Sequence, residues 1–233
     1  MSDLVNYFKL GQKALAKKEF ENAINFLNKA LPAADKPQQA EIYQALGESY
    51  YHSSNIKQSI FHYSSALKIA AELNDIKTEV KLLKTMGKIC QEAKSYQEAI
   101  KCHEKCLEKI HNVRDEQIKA EVMRTLGTLY SITNNHLKAL STLKEALKIQ
   151  REVGNKKEVA MTLYELGTEQ ADTDQVIEAL ENLKEAHNIF KNLGLDAEVN
   201  KTQREIEVIK SELEEEEWVE KKLTKFRKFR DLS

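Results

Sequence analysis

The sequence predicts an all-α solenoid of five helix-turn-helix repeats closed by a C-terminal capping helix. Three observations carry that expectation. First, the pairs Leu10-Gly11, Leu46-Gly47, Met86-Gly87, Leu126-Gly127 and Leu166-Gly167 place five of the seven glycines in one register, 36, 40, 40 and 40 residues apart. Second, small side chains recur behind them at fixed offsets. Ala23, Ser59, Ala99, Ala139 and Ala179 stand twelve residues on, and Ala30, Ala66, Cys106, Ala146 and Ala186 seven further. Third, 41% hydrophobic and 31% charged residues with two prolines fit a mostly helical chain better than a sheet. A fixed period of this length marks stacked repeats.

Within each unit the apolar positions explain the two helices, A and then B. Tyr7, Tyr43, Leu83, Met123 and Leu163 precede each glycine by four residues. Ile24, Ile60, Ile100, Leu140 and Leu180 follow the first small residue, and Leu31, Leu67, Leu107, Leu147 and, exceptionally, His187 follow the second. Intervals of three, four and seven make one helix face. Polar turns separate A from B at Lys17-Lys18-Glu19, Ser53-Ser54-Asn55, Lys94-Ser95, Asn134-Asn135 and Asp172-Thr173-Asp174. The small residues are expected to let the pair approach closely, with the glycine of A facing the alanine of B. One pair cannot bury both its faces, so pairs must stack. The repeats fall at about 3-34, 37-74, 76-113, 116-153 and 156-195, an array over 1-195.

The junctions differ. Repeat 1 ends in a turn punctuated by Pro32 and Lys36-Pro37. Later B helices run on into Leu73-Asn74-Asp75, Val113-Arg114-Asp115, Val153-Gly154-Asn155 and Leu193-Gly194-Leu195-Asp196. The apolar residue opening each extension is expected to pack inward, and the Asp or Asn after it to cap the next helix A. Over 196-233 the Leu-Gly pair is gone. Val199, Thr202, Ile206, Ile209 and Leu213 follow 3-4 spacing instead, as expected of a helix laid over the open end of repeat 5. A two-chain coiled coil is the alternative, with fewer than three heptads to support it. Glu214 to Glu217 follow, then a basic-aromatic end: Trp218, Lys221, Lys222, Leu223, Lys225, Phe226, Arg227, Lys228, Phe229 and Arg230. That composition suits an anionic membrane, a nucleic-acid backbone or an acidic partner groove. The preferred reading is a solvated helix end whose lysines pair with the preceding glutamates.

The combined pattern resembles the tetratricopeptide repeat: a large residue, Leu-Gly, Tyr three later, then Ala, an aromatic and Ala. Tyr50 and Tyr130 meet the tyrosine slot, where Ala14, Cys90 and Gln170 depart. Tyr63 meets the aromatic slot, held elsewhere by Leu27, His103, Leu143 and Leu183. The resemblance covers roughly residues 3 to 195. In its 40-residue period it is similar to the LGN/Pins polarity adaptors, kinesin light chains and bacterial Rap regulators. It implies a right-handed superhelix whose A helices line a concave groove for a partner peptide or helix. On that register the groove residues are Gln44, Glu48, Lys84, Lys88, Arg124, Thr128, Tyr164 and Thr168. Lys84, Lys88 and Arg124 would form a basic patch suited to a carboxylate. The asparagines of the chaperone-type carboxylate clamp and of the LGN-type ladder are absent from the slots flanking Leu-Gly, so neither known ligand class is implied.

Other classes lack support. A formal net charge of −1 gives no whole-chain bias toward nucleic acid or anionic membrane. No run approaches the roughly 18 apolar residues of a membrane span, and the N-terminus has no secretory pattern. Three cysteines make no disulfide framework, so a cytoplasmic protein is expected. Among Cys90, Cys102, His103 and Cys106, residues 102 and 106 share a helix face at a workable ligand spacing, yet Cys106 fills a small-residue slot, Cys90 the tyrosine slot and His103 the aromatic slot, so no metal is expected. No nucleophile elbow or phosphate loop occurs; no cofactor or small-molecule substrate is expected. The expected function is a non-enzymatic adaptor or scaffold binding a protein or peptide. The alternative is a peptide-responsive regulator of the Rap type. Those regulators usually add an N-terminal helical domain, whereas this chain starts directly in a repeat, which favours the adaptor.

Overall fold

A computed structural model of the chain describes the backbone of residues 2–112 and 114–230, and side chains over 6–112 and 114–215. The described residues form eleven α-helices and no strand. These are α1 (Ser2–Ala16), α2 (Phe20–Ala30), α3 (Lys36–His52), α4 (Ile56–Glu72), α5 (Ile76–Glu92), α6 (Tyr96–Ile110), α7 (Glu116–Ile132), α8 (His136–Val153), α9 (Lys156–Ala171), α10 (Val176–Asn192) and α11 (Asp196–Arg230). Odd-numbered helices α1 to α9 carry the Leu-Gly pairs and even-numbered helices the small residues. Contacts divide the chain within α7 into two units, Met1–Val122 and Met123–Ser233.

Turn chemistry repeats with the register. Lys18, Ser54, Lys94, Asn134 and Asp174, each seven residues after its glycine, all adopt positive φ between 58° and 61°. The next amide then reaches back to the helix it has left. Glu19, Asn55, Ser95, Asn135 and Gln175 donate to the carbonyls of Ala14, Tyr50, Cys90, Tyr130 and Gln170 at 2.7–2.9 Å. This satisfies carbonyls that the helix end leaves open. A left-handed non-glycine residue costs about 1–2 kcal/mol, so the same strain is accepted five times to reverse the chain in so few residues.

Between repeats Asn74, Arg114, Gly154 and Gly194 take the left-handed conformation. Several following helices start on a side-chain cap. Asp75, Asp115 and Asn155 accept from the amides of Thr78, Ile118 and Glu158. Asp35, after a one-turn 3-10 helix over Leu31–Ala33, forms a reciprocal capping box with Gln38. Asp196 instead lies inside the first turn of α11.

Two packing expectations need correction. The residues opening the B-helix extensions do not pack inward: Leu73, Val153 and Leu193 are 42–43% exposed, while Val113 lies outside the described residues. Each immediately precedes a left-handed residue, so the chain is already turning away from the core. The inward position is three residues earlier, at Ala70, Ile110, Gln150 and Phe190, all buried. Nor does the glycine chiefly face the alanine. A Cβ placed on Gly11, Gly47, Gly87, Gly127 or Gly167 would come within 2.5–2.8 Å of Leu27, Tyr63, His103, Leu143 or Leu183, sixteen residues on. The glycines therefore make room for the large residue of helix B, and the fully buried small residues sit one turn before it.

In the first unit, Ala14, Ala23, Leu27, Ala30, Ile42 and Leu46 form one cluster, and Tyr63, Ala66, Ala70, Leu82, Met86 and Ile89 another. In the second, Leu143, Leu163, Leu166, Ala186 and Phe190 pack together, with Val199 against them. Ile206 and Ile209 of α11 join Ala179 and Leu183, and Thr202 is fully buried. The start of α11 thus covers repeat 5 in the way its 3-4 spacing anticipates.

Candidate partner-binding surface

On the A helices the residues beside Leu-Gly emerge from the buried stripe. In the first unit, Gln12, Leu15 and Ala16 of α1 and Glu41, Gln44, Ala45 and Glu48 of α3 surround an open hollow of about 460 Å³. Its lining joins apolar side chains to two carboxylates and two amides. Among the described residues, none of these four polar side chains has a hydrogen-bond or ion-pair partner. Glu41, Gln44 and Glu48 lie three and four residues apart, so they share one face of α3. Glu41 was missed from the sequence, although its place one turn before Gln44 was legible.

Further along this unit the polar groups are engaged. The Tyr51 hydroxyl donates to Glu92, an interaction that raises the tyrosine pKa. Lys84 Nζ meets Glu121 at 2.7 Å. Lys88 lies 3.9 Å from Glu92 along the same helix, an exposed pair worth little.

In the second unit the expected groove residues bond to Glu165 and Glu205, which were not among them. Arg124 donates to Glu165 at 2.7 Å and stands 3.3 Å from Glu158. Thr128 donates to the other Glu165 oxygen at 2.8 Å, and the Thr168 hydroxyl to the Glu165 carbonyl at 2.9 Å. Burial pushes the Glu165 carboxyl upward against the pull of Arg124 and Thr128. The Tyr164 hydroxyl donates to Glu205 at 3.3 Å, while Lys201 lies 4.2 Å over its ring. Burial, with Glu205 beside it, moves Tyr164 up to about 12. Tyr164, Glu165, Met161, Phe190, Lys201 and neighbours on α11 line a second hollow of about 340 Å³. Arg124–Glu165 and Tyr164–Glu205 are each 41 residues apart, one period plus one, so this lattice joins successive A-type helices. Sequence spacing alone does not reveal it, because the acid in each pair is polar like its surroundings.

The cysteines and His103 serve packing. The Cys90 and Cys102 thiols share a hydrogen bond that raises the first and lowers the second. Cys106 donates to the Val80 carbonyl at 3.6 Å and is pushed by burial to about 11. His103 stands against Gly87 with both ring nitrogens unpartnered, and burial lowers it to about 4. Among the described residues no group of three or more His, Cys, Asp or Glu is placed to hold a metal ion. No described helix is long and apolar enough to cross a membrane. Trp218, Lys221, Lys222, Lys225, Phe226, Arg227, Lys228, Phe229 and Arg230 lie outside the residues whose side chains are described, although the backbone of α11 continues to Arg230.

A sequence model of the tetratricopeptide repeat family matches residues 78–152. No curated protein sequence matches the chain. Among solved structures, the chain is similar to apo RapI, with a TM-score of 0.74 and 22% identity over 82% of this chain and 54% of that one. It is also similar to a signal-transduction ATPase with numerous domains from Pyrococcus horikoshii that carries a tetratricopeptide repeat sensor, with a TM-score of 0.70 and 23% identity over 84% of this chain and 31% of that one. A third is BtubC from P. vanneervenii, with a TM-score of 0.68 and 20% identity over 79% and 78% of the two chains. The chain therefore spans most of BtubC but about half of RapI and a third of the ATPase. At these identities the likeness is one of fold.

Proposed function

We propose that the chain is a non-enzymatic interaction module, a reading supported by the match of residues 78–152 to the tetratricopeptide repeat model and by the same register recurring from α1 to α10. In this reading 1-195 is the five-repeat array and 196-233 the capping helix with its basic end. The A-helix face receives a peptide or helix from a partner protein. The observation that carries the reading is the hollow between α1 and α3: four unpartnered polar side chains together with an apolar lining. That is the composition of a recognition surface, in which apolar contact supplies affinity and a few polar groups supply orientation. Gln44 and Glu48 are the residues most exposed to this role. Lys84, Arg124, Thr128 and Tyr164 act partly through their existing bonds to the next A-type helix, whereas among the described residues Lys88 and Thr168 bond only within their own helices.

The test is affinity capture using the intact chain and the Glu41→Lys/Glu48→Lys variant as paired baits. Charge reversal should remove a specific partner while the thermal melt stays unchanged. Equal capture by both baits would move the site off this face.

A peptide-responsive regulator is a second reading, favoured by the Arg124–Glu165–Thr128 cluster. A ligand carboxylate competing for Arg124 would release Glu165 and loosen the bond between neighbouring A helices. That reading requires ligand binding to change the radius of gyration in solution scattering; an unchanged profile at saturation returns the protein to the adaptor class.

A further inference from the structure

The unspent hollow and the unexplained end of the chain have opposite chemistry. Between α1 and α3 the polar lining is Glu41 and Glu48 with Gln12 and Gln44, and the apolar lining is Leu15, Ala16 and Ala45. No cation lines it, and among the described residues no lysine or arginine is paired with either carboxylate. The segment from Lys221 to Arg230, KKLTKFRKFR, has six basic residues and no acidic one. Leu223 and Phe226 within it, with Val219 just before it, stand at intervals of four and three, the spacing of an apolar helix face. The backbone there is helical, and α11 continues for about 25 Å beyond Leu213 at 1.5 Å per residue.

We propose that the hollow between α1 and α3 docks a basic amphipathic helix, and that its occupant is the C-terminal end of α11 from a second copy of this chain. The inference rests on the reading of the A-helix face as a docking surface. Glu41, Gln44 and Glu48 repeat along α3 at the three- and four-residue spacing that a bound helix presents back. In sequence the segment offers apolar positions to match Leu15 and Ala45, and basic ones to match the two carboxylates of the hollow. The beginning of α11 is clamped on repeat 5 by Val199, Thr202 and Ile206. Its far end is therefore carried as a continuous helix rather than on a loose tether, the form in which one molecule engages another.

Sedimentation velocity of the full chain over a hundredfold range of concentration tests this. At low salt the average mass should rise above the monomer with concentration, and ~0.5 M salt should return it to the monomer by screening the contact. Glu41→Lys/Glu48→Lys and, separately, Lys221→Glu/Lys222→Glu/Lys225→Glu should each weaken association by about tenfold or more. An equimolar mixture of the two variants should associate again, because each then offers the other a complementary pair. A chain that stays monomeric throughout, or association that neither reversal alters, overturns the proposal. Binding of the basic segment to anionic vesicles without self-association overturns it as well. If the chain is monomeric while Glu41→Lys/Glu48→Lys still loses a captured foreign partner, the second-copy occupant is wrong and the docking reading stands.

Discussion

Substituting Gly167 by alanine sets two effects of opposite sign against each other. In an unconstrained helix interior the change stabilises by about 1 kcal/mol, because glycine loses more backbone entropy on folding. At this site the added Cβ would lie 2.7 Å from Leu183 Cγ and 3.1 Å from both Leu183 Cδ2 and the Ala179 carbonyl oxygen. Comfortable carbon contacts begin near 3.5 Å, Leu183 is fully buried, and one obstacle is backbone. Overpacking of this kind costs about 1–3 kcal/mol, and contact with both a branch point and a carbonyl argues for the upper part of that range. The net expectation is a loss of about 1–2 kcal/mol, a fall in Tm of roughly 3–6 °C for a chain this long. Thermal denaturation followed by circular dichroism measures it. In a Leu183→Ala background, which alone costs about 2–5 kcal/mol, the added methyl should become neutral or favourable, giving a coupling that a double-mutant cycle reads directly. Gly154→Ala is the contrast: its φ is +83° with open space around it, so only the left-handed backbone cost of about 1–2 kcal/mol applies, and Leu183→Ala should not relieve it. A rise in Tm for Gly167→Ala in the unmodified background would refute the claim that these glycines exist to admit the large residue of helix B.

His103 should make the fold acid-sensitive. Its folded pKa is lowered to about 4 from 6.5 by burial, so the unfolded chain binds the extra proton first and stability falls as pH drops from 6.5 toward 4, on the order of 3 kcal/mol in full. His103→Leu, the residue that three other repeats use at this slot, should flatten the Tm between pH 7.5 and 5; an equal drop in both proteins would assign the acid sensitivity elsewhere. Glu79 is 4% exposed and meets Lys109 at 2.7 Å. Lys109→Met should cost about 1–3 kcal/mol by stranding that carboxylate, and Glu79→Leu/Lys109→Met should recover most of it in urea titrations. A fully additive double variant would show that the pair is not coupled.

Much of this architecture is legible because stacking demands the same small residue at the same depth each time. Ala23, Ser59, Ala99, Ala139 and Ala179 are all fully buried, and a period can be read wherever a size limit recurs. The 3-4 spacing of Thr202, Ile206 and Ile209 identifies a covered face for the same reason. What escaped detection has no such limit. The left-handed turn residues include lysine, serine, asparagine and aspartate, since the exposed turn constrains the backbone and not the side chain. Leu73 and Val153 look like core residues, yet the chain reverses immediately after them. The cations Lys84 and Arg124 stand out in the sequence as a patch, but the acids that engage them lie 34 to 41 residues away. Glu48 is a groove residue by its register beside Gly47, but Glu41 carries no such mark in the sequence and stands out only because the structure leaves it unpartnered. A binding face is thus easiest to overlook where its charges have no local match.

The most direct test of the account is site-specific photo-crosslinking. A photoreactive side chain at Gln44, in the hollow between α1 and α3, is compared with one at Phe61, which is 60% exposed on α4. The account predicts that Gln44 crosslinks strongly to the bound partner or second copy, and that Glu41→Lys/Glu48→Lys abolishes the adduct, while Phe61 gives little. A strong adduct from Phe61 with none from Gln44 would place recognition on the B helices and contradict the account.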